Sequence, residues 1–310
     1  MKTILLLGGY GFLGTNVMKY VDTHLADQYR FIVFDKMDHH MGGVTFTNIV
    51  KTYAGDFSDS MLLKRVFREN QIDIIIHSLS TTVPVDSANA RYDVESNLLP
   101  TLDVLALMVE YHVYNIVYLS SGGAIYGTKG NNSHREDDDV SPISSYGVVK
   151  LAIEKYLLQY AQLYGIQPLI LRLSNPYGPY HYSMKQGVIN VAMALALRHQ
   201  PMQIWGAGTG HKDYIYVEDY AKILFILLDK GIHNEVINIA SGQLLSVNDI
   251  VAEVCQCVPD FVADHVAAKQ FDAEHFELDT TKLKKLIGEY AFTPLDKGIR
   301  LTYNWTQSLC

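Results

Sequence analysis

Six short apolar runs recur over residues 1–175: TILLLGG, RFIVFD, IVKTYAGD, DIIIHSL, NIVYLSS and QPLILRLSN. Between them lie longer stretches whose apolar residues return every three or four positions, such as MLLKRVFREN, PTLDVLALMVEYH and SYGVVKLAIEKYLLQYAQLYG. A strand that faces water on one side alternates apolar with polar; an unbroken apolar run predicts a strand covered on both faces, as in a parallel sheet with helices on either side. The pattern therefore predicts a doubly wound parallel α/β (Rossmann) domain over residues 1–180.

After NPYGP the rhythm changes. A helix is predicted at QGVINVAMALALRH, short strands at MQIWG and YIYV, a helix at EDYAKILFILLDKG, a strand at VINIAS, and a further helix at SVNDIVAEVCQCV, where Ser246 is placed to cap the first turn. Residues 181–310 read as a smaller α/β substrate-binding region, with a return of the chain to the first domain around 213–240. Ligands of open α/β sheets sit beyond the carboxyl ends of the strands, so the cleft beside that edge is the expected substrate site.

Composition narrows the partners. With 310 residues and 48% hydrophobic content the chain can bury a sizeable core. A net charge of -8, with both signs mixed along the sequence, disfavours nucleic acid and anionic membrane, and favours a small molecule. No apolar run is long enough to span a bilayer, and a cytoplasmic location is expected. Three cysteines, Cys255, Cys257 and Cys310, read as free thiols, and no metal site is expected. The pair His39-His40 lies in a polar turn and reads as solvated surface.

Two motifs carry chemistry. In LLLGGYGFLG the glycines at 8, 11 and 14 follow a strand and open a helix: Gly8 for a tight turn, Gly11 for close approach of a pyrophosphate, Gly14 for helix packing. Asp35 ends the next strand, where a carboxylate bonds ribose hydroxyls and repels a 2'-phosphate, which favours NAD over NADP. Asp56 and Phe57 in GDFSD either sit beside the adenine or only form a capped turn. The second motif is YGVVK: Tyr146 and Lys150 are four apart on a helix, so they share a face. A lysine ammonium with a nicotinamide cation nearby would lower the tyrosine pKa and suit it to exchange a proton with a sugar hydroxyl.

With LRLSNPYGP, HSLS and IWGAGTGHKDYIYVEDYA in the same order, the chain resembles the extended short-chain dehydrogenase/reductase family, and within it the UDP-glucose 4-epimerase-like (NAD-dependent epimerase/dehydratase) group. The resemblance implies an NAD site lined by Gly8, Gly11, Phe12, Leu13, Gly14, Asp35, Lys36, Asp56 and Phe57. Leu79, Ser80, Asn97, Ser120, Tyr146, Lys150 and Asn175 would complete it. It places Asn175 also at the nucleotide-sugar phosphates, Val188, Gln203 and Trp205 around the base, and Lys212 and Lys269 where the family usually has diphosphate-binding arginines. It further implies a homodimer formed through the helices at 89–112 and 145–164.

The departures bear on chemistry. Lysine replaces a planar two-pronged donor with a point charge at 212 and 269. The customary Ser or Thr that bonds the reacting sugar oxygen is Gly122, and the Asp-Glu pair of dehydratases is Gly123-Ala124, so 4,6-dehydration is not expected. A substitute hydroxyl is sought in Ser120 or Ser121. Strand alternation favours Ser120, a water is a further option, and the expectation adopted is that Ser121, moved into phase by a glycine bulge, bonds O4. The expected activity is epimerisation at C4 of a UDP-hexose through a transient 4-keto sugar. The alternatives are an NAD(P)H-dependent 4-keto-sugar nucleotide reductase and a nucleotide-binding sensor or scaffold without turnover.

Overall fold

The computed structural model describes residues 1–84, 89–127, 133–267 and 275–309. The chain divides into two compact units. The first comprises 1–127, 140–172 and 221–237, the second 128–139, 173–220 and 238–310.

The first unit follows the apolar runs. β1 (Lys2–Leu7), α1 (Phe12–His24), β2 (Tyr29–Asp35), β3 (Ile49–Ala54), α2 (Ser60–Glu69) and β4 (Ile74–His77) come first. After them α3 (Ala90–Asp93), a π-helical turn (Val94–Leu98) and α4 (Leu99–Glu110) form one helical stretch. β5 (Asn115–Ser121), a short helix α5 (Gly122–Ile125), α6 (Ser145–Tyr164) and β6 (Gln167–Leu173) follow. β7 (Asn175–Tyr177), α7 (Val188–Leu197), β8 (Met202–Trp205), β9 (His211–Tyr216), α8 (Val217–Asp229) and β10 (Glu235–Ile239) come next. The chain ends through β11 (Leu244–Ser246), α9 (Val247–Cys257), β12 (Ala263–Val266), β13 (His275–Phe276), α10 (Thr281–Ile287) and α11 (Leu295–Gln307).

Seven strands form the central sheet in the order β10-β6-β5-β4-β1-β2-β3, a Rossmann-like α/β arrangement. The parallel register pairs Leu7 with both Phe34 and His77, and His77 with Tyr118. The carboxyl ends of β1 and β4 are therefore level, β2 runs one residue further, and β5 runs three residues beyond β4. All of β4 and five of six residues in β1 are buried, which is why these strands show no alternation. α6 begins where Ser144 Oγ accepts the Gly147 N–H at 3.1 Å, a cap worth about 1 kcal/mol, and stops at Gly165, whose φ of 71° only glycine adopts freely. Its buried stripe of Val149, Ile153 and Leu157 also contains Lys150 and Glu154, two charges on a face meant for core.

In the second unit β9 pairs with β11, β13 and β7, while β8 and β12 form a separate parallel pair. Ile189, Met193, Ile250, Val254 and Ile299, drawn from α7, α9 and α11, share one core. Asn190 on α7 accepts from Gly178 N and donates to Gly178 O, closing the loop that precedes the helix. The short strands β7, β11, β12 and β13 have too few residues for a periodic signal and were not among the predicted elements.

Two local readings are corrected. His40 is 1% exposed rather than solvated: its Nδ1 accepts from Gly42 N and the charge of Asp35 acts on it, so the polar turn folds inward. The SSGGAIYG segment contains no glycine bulge. β5 ends at Ser121 and residues Gly122–Ile125 wind into one helical turn.

Candidate active site

The glycine turn is a space that side chains would fill. A Cβ on Gly8, whose φ is +80°, would stand 2.8 Å from the Leu79 Cα, and one on Gly14 would stand 2.3 Å from the Gly8 carbonyl oxygen. Neither backbone neighbour can swing aside. α1 starts at Gly11 without a side-chain cap, leaving the first N–H groups of the helix directed toward the turn. Asp35 Oδ2 accepts Tyr10 N at 2.9 Å and Oδ1 accepts Met37 N at 3.3 Å, so the acid ties the glycine turn to the end of β2. Burial raises the Asp35 pKa, partly offset by these N–H bonds.

At the other side of the sheet centre, three consecutive residues of β5 meet α6. Lys150 Nζ donates to the Leu119 carbonyl at 2.8 Å, Ser120 Oγ donates to Glu154 Oε1 at 2.6 Å, and the Ser121 side chain is hydrogen-bonded to Tyr146. Lys150 Nζ lies 4.9 Å from the Tyr118 ring centroid and 5.7 Å from that of Tyr146. Burial pushes the Tyr146 phenol up to about 12, with the Ser121 bond drawing it back, and pushes Lys150 down to about 8, opposed by the charge of Glu154. The expected lowering of Tyr146 by Lys150 is thus not what the protein alone produces. The ammonium is turned to Leu119 O and burial outweighs it.

The sequence profile of the NAD dependent epimerase/dehydratase family matches residues 4–240. The chain belongs to this family. A Methanocaldococcus jannaschii protein provisionally named a UDP-glucose 4-epimerase is 30% identical over 98% of both chains. The crystal structure of the Thermotoga maritima UDP-glucose 4-epimerase with UDP-glucose superposes with a TM-score of 0.91 at 27% identity, covering 99% of each chain. That of the Thermus thermophilus UDP-glucose 4-epimerase with NAD gives 0.89 at 26%, covering 99% of this chain and all of the other. The family's cofactor is NAD, and the glycine cradle, the uncapped start of α1 and the Asp35 carboxylate fit it.

The other residues expected at the NAD site of this epimerase/dehydratase chain differ in how far they are buried and held by the fold. Phe12 and Leu13 are half-buried in the first turn of α1, and Lys36 is exposed. Asp56 takes the Ser58 N–H and hydroxyl, and Phe57 is 3% exposed against Phe34 and His77. These two residues form a capped turn with a core side chain. Leu79 is half-buried, and Ser80 donates to Thr82 O. Asn97 in the π-helical turn accepts from Thr81 N at 2.8 Å and donates to Thr81 Oγ1 at 2.7 Å, which fixes the loop after β4.

Within the second unit, Asn175 donates to the Asp213 carbonyl at 2.7 Å, Val188 opens α7, and Lys212 is half-buried on β9. Gln203 and Trp205 alternate outward on β8, with Trp205 46% exposed. Asp213, wholly buried, accepts from Ser241 N and Gly242 N, and burial raises its pKa to about 6. Lys269 lies outside the described residues. Sequence reasoning passed over Tyr10, Thr81, Tyr118, Glu154 and Arg172. Of these Glu154 left a signal, since it repeats the four-residue step from Tyr146 to Lys150. Among the described residues no group of three potential ligands could hold a metal, no helix is long and apolar enough to cross a membrane, and Cys255 and Cys257 are free thiols.

Proposed function

We propose that this enzyme is a nucleotide-sugar epimerase that inverts C4 of a UDP-hexose. The observation that carries the reading is the hydrogen-bonded Tyr146–Ser121 pair beside buried Lys150, with glycine and alanine at 123 and 124 where water elimination needs acids. NAD, when bound, supplies a hydride acceptor that is regenerated in each cycle. Tyr146 takes the proton from the sugar O4 and returns it, and Ser121 holds the same oxygen and the phenol in line. Lys150 contributes positive charge, which together with the oxidised nicotinamide offsets the burial of the phenol. The exposed Gln203 and Trp205 suit a base that needs an amide partner and a stacking surface, and Lys212 suits the diphosphate. Asp35 disfavours a 2'-phosphate, which speaks against an NADPH-consuming reductase.

The reading is tested by incubating the protein with UDP-, dTDP- and GDP-hexoses and following products by NMR. UDP-glucose and UDP-galactose interconverting with NAD copurified is the expected result. A need for stoichiometric NADPH would replace it with the reductase, and full binding without turnover would replace it with a sensor. A homodimer is part of the proposal: Leu99 on α4 and Val148, Tyr156 and Leu163 on α6 are exposed large hydrophobics on the two helices concerned. A monomer mass by light scattering would remove that part.

A further inference from the structure

Two charges that the proposed chemistry leaves unused are, among the described residues, a deeply buried ion pair of the first unit. The Glu154 and Arg172 side chains are 2% and 5% exposed and meet through Nη2 at 2.8 Å to Oε2, with Nε at 3.2 Å and 3.3 Å from the two carboxylate oxygens. Arg172 Nη1 donates to the Tyr126 hydroxyl at 2.8 Å, and its guanidinium lies 4.9 Å from that ring centroid. The remaining acceptor site of Glu154 takes Ser120 Oγ. Burying two charges is costly, and breaking such a pair leaves one stranded in a poor solvent for it. A network of this kind is rigid when every member is satisfied.

Its place matters more than its strength. Tyr146, Lys150 and Glu154 stand one turn apart on α6, and Ser121, Leu119 and Ser120 of β5 receive them. Glu154 is also held from a third element, since Arg172 lies on β6. We infer that Glu154 is a positioning residue: pinned by Arg172, it fixes the register of α6 on β5 through Ser120 and supplies the counter-charge that Lys150 faces. The inference rests on the Tyr146–Lys150 reading above. The groups facing Lys150 are Tyr146 and Glu154 on its own helix, Tyr118 and the Leu119 carbonyl on β5, and His77 on β4, whose imidazole burial keeps neutral. Glu154 is the one anion among them at neutral pH.

The test compares Glu154→Gln with the double variant Glu154→Gln/Arg172→Gln, in which two amides replace the ion pair without stranding a charge. In the NAD-loaded protein, the alkaline limb of the kcat profile is expected to move to lower pH by about 1 unit in the single variant and by less, in the same direction, in the double. kcat should fall at least tenfold with little change in KM or in NAD content. If the single variant does not fold, the double decides. A folded, NAD-loaded variant whose stability drops while its alkaline limb stays in place overturns the inference, because a merely structural pair would do that. Tyr146→Phe run alongside separates the parent reading: undiminished turnover there removes the dyad itself, whereas lost turnover there with unmoved limbs in the Glu154 variants removes only the role of Glu154.

Discussion

Gly8, Gly11 and Gly14 shape their part of the first unit by leaving side chains out, whereas Tyr146, Lys150 and Glu154 shape theirs by burying groups that prefer water. Both regions lie at strand ends of the same sheet. The glycines of the first are sensitive to added volume, since a Cβ at Gly8 or Gly14 would meet backbone atoms. The second is sensitive to charge and hydrogen bonding, since its volume is already filled.

That contrast can be broken at several points. The largest expected effect is Tyr146→Phe, which keeps the shape and removes the proton carrier; kcat should fall about a thousandfold with NAD retained. Gly14→Ala adds one methyl against the Gly8 carbonyl, and its expected result is the mirror image: NAD lost on purification and about 3 kcal/mol of unfolding stability lost by thermal or denaturant melts. If Gly14→Ala keeps its NAD, the turn is not shaped by exclusion. Asp35→Ser removes charge from the first region, and a tenfold to hundredfold weaker NAD affinity, about 1.5–3 kcal/mol, is expected with new tolerance of NADP by titration. Ser121→Ala should lower kcat about tenfold, while Ser120→Ala, whose hydroxyl serves Glu154, should show mainly as about 1–2 kcal/mol of lost stability. Reversed effects would mean that the two hydroxyls have been assigned the wrong way round.

The smallest effect is a pH response. Lys150 supports the phenolate only while charged, and its folded pKa is lowered to about 8, so turnover should decline as pH rises through that region. Neutral His77, whose pKa is lowered to about 3, should leave no mark on the profile near pH 6.5. A transition there would point to a group outside this network.

How much of this was legible depends on how local each constraint is. Gly8 to Gly14 and Tyr146 to Lys150 span one turn or two, and their geometry follows from strand and helix periods alone. The apolar runs predicted the central strands for the same reason. Ser120, Glu154 and Arg172 are 34 and 18 residues from one another, and a serine at a strand end carries no sign that its hydroxyl is claimed by a buried carboxylate. Alternation put Ser120 on the side of Tyr146; the strand instead stops at Ser121, and the helical turn at Gly122 redirects the chain beyond it. Asp56 and Phe57 looked like one motif, yet one side chain serves a turn and the other the core. His40 shows the same limit: a polar turn predicts a ring facing water, whereas this one is buried within reach of the Asp35 charge.

The glycine pair after Ser121 has a bearing on how such a protein can change over time. A Cβ added at Gly123 would meet nothing within 4 Å, whereas Ala124 is 9% exposed and already packed. An acid can therefore be acquired at 123 almost free of structural penalty, but its partner at 124 has to displace packed neighbours. A lineage drifting from inversion of a sugar centre toward loss of water would cross the first step easily and be held at the second, which makes the order of those two substitutions far from arbitrary.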